Sequence, residues 1–201
     1  FLVALSSELK KVFRESDVVG RIGGDEFFAL MRNVNGMYKM VEKAKEEGFE
    51  QIAAIFMETA EQEREHAKRM FKFLEGGMLE INACYPAGVI GTTAENLKAA
   101  AEGEHEEWSL DYPKFAETAA EEGFPAIAAM YRAIAVAEKA HEERYMALLK
   151  NVEEYTVFKK DGKVFWQCRN CGYIIEAEEA PKACPACLHP QSYFEVQKEN
   201  Y

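Results

Sequence analysis

The spacing of apolar and polar residues changes twice along this chain, and the changes mark three regions. In residues 44–153 apolar side chains recur at helical spacing within a background rich in Ala and Glu, which predicts a set of helices. Residues 1–43 and 154–201 lack that period and contain glycine-bearing stretches of the kind found in hairpins. We therefore predict a helical domain between two smaller segments.

Both flanking regions carry hairpin signals. Gly20–Glu26 is rich in glycine and lies between the apolar pairs Val18-Val19 and Phe27-Phe28, which favours a β-hairpin over a helix. Segment 1–43 is therefore expected to form a β-hairpin or a substitute for a first helix. In the C-terminal region apolar and polar residues alternate on both sides of Asp161-Gly162, which predicts a tight hairpin turn at that dipeptide.

The helical region contains an internal repeat. Segment Glu46–Phe49 recurs 75 residues later as Glu121–Phe124. At the same displacement the motif Glu63-x-x-His66 recurs as Glu138-x-x-His141. Each copy predicts a helix that begins just after a glycine, and duplicated helix pairs assemble into bundles.

The segments between the two copies complete a fold prediction. Residues 76–92 contain several Gly and a Pro and predict a long crossover. Thr92–Glu95 fits a capping box, so a further helix should begin there and run towards Pro113, where the proline should bend it. One long crossover in a four-helix bundle is the ferritin-like arrangement. The expected fold is mainly α: a ferritin-like bundle with an atypical or truncated first helix, followed by a small C-terminal β module.

Carboxylates and imidazoles share one face on three of the predicted helices. A spacing of three residues puts two side chains about one turn apart, so that both reach a single metal ion. Such donors favour iron or manganese, with zinc as the alternative, and paired carboxylates suit bridging between two irons. One motif alone would indicate only a solvated helix face, but two copies in one repeat frame predict a metal site. The candidates are Glu63 and His66, Glu104 and Glu107, and Glu138 and His141.

Four of the five cysteines form the pairs Cys168-x-x-Cys171 and Cys184-x-x-Cys187. Four thiolates at this spacing can hold one iron or one zinc ion, and without an export signal they favour metal over disulfides. The spacing does not choose between the metals. The two loops resemble those of rubredoxin, a one-electron iron carrier, and a structural zinc ribbon is the alternative. Cys84 has no cysteine at comparable spacing and is expected to be buried as a small hydrophobic residue.

Charge and hydropathy bear on whether the protein binds nucleic acid or a membrane, and on its location in the cell. The chain carries 24 Lys and Arg against 35 Asp and Glu, a formal net charge of −11, which argues against a nucleic-acid partner. Outside the metal motifs, the charged residues of the helices, Glu142 among them, are predicted to lie on solvated faces. His105 lies between two candidate ligands but on a different face, and is predicted to have a structural role or to support the ligands from behind. No apolar run approaches the roughly 18 residues of a membrane span. Phe1–Leu5 is too short for the core of a secretory signal, so the cytoplasm is the expected location.

From about residue 46 to its C-terminus the sequence resembles the rubrerythrin family. The resemblance rests on Glu63–Arg69, Gly103–Glu107, Ala137–Glu142 and the rubredoxin-like tail, in the order in which the family has them. It implies a non-haem diiron site in a ferritin-like bundle that reduces hydrogen peroxide to water. It also implies electrons relayed through a tetracysteine iron from a rubredoxin or an NAD(P)H-dependent reductase, and a head-to-tail homodimer.

The same resemblance assigns roles to individual residues. His66 is expected to exchange with Glu107 as the irons change oxidation state, and Tyr112 to lie close by. The implied catalytic residues are Glu63, Glu104, Glu107, Glu138, His141 and Tyr112. The implied metal ligands are Glu63, His66, Glu104, Glu107, Glu138 and His141 for the diiron site, and Cys168, Cys171, Cys184 and Cys187 for the single iron.

The first quarter of the chain departs from the family pattern. The family's first helix contributes a glutamate about eighteen residues before the glycine that corresponds to Gly48, where this chain has Leu30. Arg14–Asp17 and Gly23–Phe27 instead resemble a fragment of a GGDEF diguanylate cyclase, too short to form that enzyme's domain. The sequence thus indicates that two unrelated sequences are joined near residues 42–47. We expect a GGDEF-like fragment at 1–43, a ferritin-like diiron domain at 44–153 and a rubredoxin-like iron domain at 154–201.

Three functions follow from these readings. The favoured one is a diiron peroxidase with a rubredoxin-type iron as its electron relay. An iron-binding or electron-transfer protein with impaired turnover is the alternative, because the glutamate of the first helix is missing. A cyclic-dinucleotide-binding module built on Arg14 and Asp17 is the third.

Overall fold

The computed structural model describes residues 17–21, 27–74, 76–77 and 88–200, with the backbone alone for 17–21 and 27–37. Most of the GGDEF-like fragment and Cys84 therefore lie outside the described residues. The described part is mainly helical with a small C-terminal sheet, as predicted.

A short hairpin precedes the helices. Strand β1 (Asp17–Arg21) pairs antiparallel with β2 (Phe27–Met31), and Asp17 lies opposite Met31. Helix α1 (Arg32–Glu46) begins directly after β2. Leu30 thus lies in a strand, and the expected boundary between residues 43 and 44 falls inside α1.

The two copies of the repeat begin in the same way. Helix α2 (Glu50–Phe71) follows Gly48, and the long helix after the second copy's glycine follows Gly123; their φ values are +82° and +84°. Glycine is favoured at both positions because other residues rarely adopt this left-handed conformation. Each glycine ends the preceding helix and turns the chain into the next one.

Three further helices complete the bundle. Helix α3 (Thr93–Glu106) begins with the predicted capping box, because Thr92 accepts from the Glu95 N–H while the Glu95 side chain accepts from the Thr92 N–H. A π-helical turn (Glu107–Asp111) joins α3 to α4 (Tyr112–Glu121). The predicted distortion near Pro113 takes this form, since a proline cannot donate to the helical ladder. Helix α5 (Pro125–Glu153) is the longest.

Two apolar clusters fill the bundle, one on each side of the buried acidic residues. One includes Ile52, Phe56, Leu97, Tyr145 and Leu149. The other includes Met70, Tyr112, Met130, Tyr131 and Ile134. Along α2, Glu63 lies between Phe56 of the first cluster and Met70 of the second, so apolar side chains exclude water on both sides of its carboxylate.

The C-terminal module is a three-stranded antiparallel sheet of order β4-β3-β5, built from β3 (Lys159–Cys168), β4 (Ile174–Glu179) and β5 (Phe194–Val196). The hairpin turn predicted at Asp161-Gly162 is wrong. Both residues lie within β3, where the register with β4 shifts. The turn instead comes at the first cysteine loop, and buried Trp166, whose Nε1–H donates to the Ala177 carbonyl, fixes the register.

The module rests on the start of α2. The ring of Phe158 stacks on Phe49 with centroids 6.2 Å apart, and Ser192 lies against Gly48. No helix within the described ranges has both the length and the apolar character needed to cross a membrane.

Candidate metal centres

Three helices bring four acidic and imidazole side chains together between the two apolar clusters. Ligand atoms of Glu63, Glu104, Glu138 and His141 all lie within 4.8 Å of one another. Helix α2 supplies Glu63, α3 supplies Glu104, and α5 supplies Glu138 and His141. All four side chains are buried, and Glu138 is fully so.

The other predicted residues lie outside this group of ligand atoms: His66 contacts two of its members, and Glu107 and Tyr112 are buried farther along the chain after Glu104. His66 Nδ1 is 3.0 Å from Glu138 Oε1 and 3.5 Å from Glu63 Oε2, so His66 lies at the edge of the cluster. Glu107 is buried where α3 passes into the π turn. Tyr112 is buried one turn later and stacks on Tyr131 with ring centroids 5.6 Å apart.

Burial and charge pairing set the protonation of the cluster. Burial opposes the charge of Glu63, but His141 and His66 outweigh it and lower the pKa of Glu63 to about 2. For Glu104, burial prevails and raises the pKa to about 7. Burial disfavours the charged imidazoles, yet the surrounding carboxylates raise the pKa of His66 to about 10 and that of His141 to about 11. In the metal-free protein, protons on the histidines thus balance the buried carboxylates.

Several buried atoms of the cluster have no hydrogen bond of acceptable geometry. Buried polar atoms are almost always satisfied in folded proteins, so a group of them facing one another indicates a bound cation. Oxygen and imidazole donors in a helical bundle fit a pair of iron or manganese ions. The atoms are Glu63 Oε1, His66 Nδ1, Glu104 Oε2, both carboxylate oxygens of Glu138, and His141 Nδ1.

The four C-terminal cysteines form the second centre. Their sulfur atoms lie within 4.8 Å of one another, with Cys168 3.7 Å from Cys187 and Cys171 3.6 Å from Cys184. A tetrahedron with metal–sulfur bonds of 2.3 Å has edges of about 3.8 Å, so these separations fit one tetrahedral ion. None of these four is in a disulfide.

The sulfurs differ in their surroundings. The backbone N–H of His189 lowers the pKa of Cys187 to about 6. The backbone N–H of Tyr173 also lowers the pKa of Cys171, but the neighbouring thiols outweigh it and raise that pKa to about 12. Cys168 and Cys184 are buried, whereas Cys171 is exposed. Cys171 thus gives the centre one solvent-exposed edge.

Several side chains near the bundle site were not predicted from the sequence. Gln62 contacts the outer edge of His141, and Arg144 contacts Gln62. A helical wheel turns Gln62 by 100° from Glu63, so only the fold reveals that contact. Glu142 was expected on a solvated face, which is wrong: it is partly buried, accepts from the Trp108 indole and pairs with His105.

Known families divide the chain as the structure does. The rubrerythrin family model matches residues 35–149, and the model for the rubredoxin-like domain of rubrerythrin matches residues 166–195. A rubrerythrin of Porphyromonas gingivalis is 66% identical over 158 residues, which cover 79% of each chain. This chain belongs to the rubrerythrin family. Rubrerythrin-1 of Clostridium acetobutylicum is 60% identical over 163 residues, 79% of this chain and 83% of the relative.

Solved structures show the same fold. Nigerythrin in a mixed-valence state has a TM-score of 0.55 at 25% identity, covering 98% of this chain and 86% of that one. Bacterioferritin BfrA of Mycobacterium tuberculosis has a TM-score of 0.55 at 15% identity, covering 76% and 86%, and supports the fold alone. The predicted ferritin-like fold with a small rubredoxin-like module is thus confirmed.

Family membership gives the two centres their identity. The Glu/His cluster is a diiron site of the rubrerythrin type, and the four cysteines form a rubredoxin-like site. Rubrerythrins are oxidoreductases, so this chain is placed in that class. The resemblance of residues 1–43 to a GGDEF fragment stays a prediction.

Proposed function

We propose that this member of the rubrerythrin family is a non-haem diiron peroxidase that reduces hydrogen peroxide to two waters. The observation that carries the proposal is the buried, unsatisfied Glu/His cluster in the same chain as a four-thiolate site. When bound, a pair of ferrous ions would supply the two electrons that breaking the peroxide O–O bond requires, and a tetracysteine iron would pass on their replacements from the external donor one at a time.

The ligand roles in this proposal follow the repeat. Glu63 and Glu138 lie at matching positions of the two copies, and both contact both histidines, so each carboxylate would be available to both ions. Glu104 and His141 hold one side. His66 and Glu107 would hold the other, and the family resemblance implies that these two side chains replace each other when the charge of the ions changes.

The surrounding side chains control access to the site. Apolar clusters above and below exclude water, so that electrostatic attraction between ligands and cations is strong there. His66 is 18% exposed and His141 only 7%. We therefore expect peroxide and the two protons that it consumes to enter beside His66, with Tyr112 farther along the buried wall.

Electrons are proposed to pass between chains in a head-to-tail homodimer. Within one chain the module rests on Phe49, and Glu63 lies 14 residues farther, about 21 Å along the axis of α2. A second chain in the opposite orientation would place its thiolate iron nearer to the cluster. A rubredoxin or an NAD(P)H-dependent reductase is the proposed donor, and the cytoplasmic location stays a prediction.

Anaerobic iron loading followed by peroxide tests the proposal. We expect three irons per chain and rapid reoxidation of the dithionite-reduced tetracysteine iron, seen as the return of its visible absorption. One iron per chain with no reoxidation would contradict the peroxidase. It would favour the electron carrier, the alternative that the missing glutamate of the first helix suggests.

A further inference from the structure

The outer nitrogen of His141 is held by a small polar network. His141 Nε2 lies 2.9 Å from Gln62 Oε1, and Arg144 Nη2 lies 3.4 Å from the same oxygen. Gln62 Nε2 faces the carboxylate of Glu58 at 3.4 Å. Turning the amide over would place its NH₂ group against a guanidinium and its oxygen against a carboxylate, so the amide oxygen faces the imidazole.

Arg144 is itself fixed in place. Its Nη1 donates to Glu58 Oε1 at 2.7 Å, and its Nη2 donates to Thr59 Oγ1 at 2.7 Å. Thr59 is buried and donates in turn to the Ile55 carbonyl of its own helix. The network therefore ties the Gln62 amide to the backbone of α2.

This network determines which nitrogen of His141 faces the metal site. A carbonyl oxygen only accepts hydrogen bonds, so the proton stays on Nε2. His141 Nδ1 then lies 2.8 Å from Glu138, 3.3 Å from Glu63 and 3.7 Å from Glu104. Metal-binding histidines depend on such an outer partner for their tautomer and ring orientation.

The repeat shows that His66 lacks the same support. Adding 75 residues takes Glu58 to Ala133, Thr59 to Ile134 and Gln62 to Ala137, none of which has a polar side chain. Subtracting 75 takes Arg144 to Arg69, which lies over the Phe73 ring with 4.5 Å to its centroid. His66 directs Nδ1 towards Glu63 and Glu138, and no side chain among the residues that the structure describes forms a hydrogen bond with its Nε2.

We propose that Gln62 is a positioning residue that fixes His141 with Nδ1 towards the metal pair, and that Ala137 at the matching position leaves His66 adjustable. One imidazole of the diiron site is then rigid, and the other is free to change its position. The inference rests on the diiron site and not on peroxidase activity.

Zinc binding tests the proposal without redox chemistry. Gln62→Leu removes the acceptor and keeps a similar volume, so we expect one of the two zinc ions of the bundle to bind about 10–100-fold more weakly in chelator competition. Gln51→Leu makes the same chemical change on the same helix, about three turns from the cluster, and should leave affinity unchanged. Far-UV circular dichroism and the colour of the tetracysteine iron check that each variant folds.

Two further variants test whether the hydrogen-bond acceptor behind each histidine is the cause of the effect. Gln62→Glu keeps an acceptor, so it should restore zinc affinity and lower the reduction potential of the iron-loaded cluster, because a carboxylate makes the imidazole more electron-rich. Ala137→Gln supplies the missing acceptor on the other side and should slow exchange of the His66 Nε2 proton with solvent, measured by NMR on zinc-loaded protein with labelled histidine.

Three results would overturn the proposal. One is wild-type zinc affinity in Gln62→Leu. Another is equal weakening in Gln62→Glu and Gln62→Leu, which would indicate a packing role only. The third is an NMR spectrum in which His141 binds zinc through Nε2.

Discussion

Glu138 shows most directly how a single residue joins the two halves of the repeat. It is fully buried, with Oε1 3.0 Å from His66 and Oε2 2.8 Å from His141. Such a carboxylate, deprived of water, is stable only beside cations. The positive charge beside Glu138 is therefore carried by protonated histidines when the site holds no metal, and by the metal ions when they are bound.

Replacing Glu138 should affect the two metal centres differently. We expect Glu138→Ala to abolish metal loading of the bundle, because one substitution removes a ligand from both ions, while the visible spectrum of the tetracysteine iron persists in its own module. Metal analysis and absorption spectra measure the two effects. Glu143→Ala, at an exposed position of the same helix, is the control. Loss of both centres in Glu138→Ala would mean that the modules fold together.

Metal and protons compete for the same ligands. With pKa values of about 10 and 11, both histidines carry an extra proton at pH 7 in the metal-free protein, and burial, which raises the pKa of Glu104 to about 7, keeps part of that carboxyl protonated. Zinc binding should therefore release about two to three protons at pH 7, and affinity should rise with pH up to about 10. Calorimetry in buffers of different ionisation enthalpy measures the release. A proton count near zero would show that the imidazoles are neutral before metal binds.

The same pKa shifts affect the metal-free fold. A raised folded-state pKa means that the paired histidines stabilise the fold fully below about pH 6.5, their value when unfolded. That contribution is lost as pH rises through about 10 to 11.

At the scale of elements, α3 is stabilised at its N-terminus by a residue from another part of the chain. The Thr93 N–H donates to Glu47 Oε2 at 2.9 Å, in addition to the local capping box. Glu47 lies in the turn between α1 and α2, so its carboxylate connects that turn to the helix that carries Glu104. The position of a metal ligand thus depends on a cap far from the metal.

Neutralising Glu47 should loosen this connection. Partial burial opposes its charge, but Thr93 and Lys43 outweigh it and lower the pKa of Glu47 below its ordinary 4.5. We expect Glu47→Gln to cost about 1 kcal/mol in urea unfolding at pH 7. The contribution is present above pH 4.5 and lost as pH falls through the folded pKa, so the difference should vanish in strong acid.

A neighbouring glutamate provides the control for this prediction. Glu46→Gln changes a more exposed residue, which lies 3.6 Å from Lys43. It should cost much less. Equal destabilisation by the two variants would show that the loss of a negative charge near Lys43, and not the loss of the helix cap, lowers the stability.

The sequence predicted those structural elements that are determined by residues close to one another in the chain. The capping box, the glycine starts of α2 and α5 and the cysteine loops are each determined by residues close in sequence. The Asp161-Gly162 turn failed because burial of Trp166 and the metal loop determine the register of β3, which no dipeptide signal conveys. The glutamine behind His141 could not be predicted either, since Gln62 and His141 are 79 residues apart.

At the scale of the molecule, the proposed head-to-tail dimer can be tested by complementation. Cys171→Ser disables the electron relay and Glu138→Ala disables the cluster, so each variant alone should be inactive. In a mixed dimer, one of the two pathways joins an intact relay to an intact cluster. We expect mixing followed by exchange of chains to restore up to about a quarter of wild-type activity per chain, measured as peroxide consumption.

A pair of substitutions in one chain is the control for complementation. Mixing wild-type protein with the Cys171→Ser/Glu138→Ala double variant should lower activity, because its mixed dimers contain no complete pathway between chains. Failure of the single variants to complement, with chain exchange shown by mass spectrometry, would exclude electron transfer between subunits.

The contact of Phe158 with Phe49 also bears on how the protein responds to dilution. In the proposed dimer a solitary polypeptide keeps its sulfur-bound iron at the far end of its own bundle, so turnover requires two copies to meet. Specific activity should then fall at concentrations below the dimer dissociation constant. A cell with few copies would be protected less than proportionally, and doubling expression would more than double the rate at which peroxide is cleared.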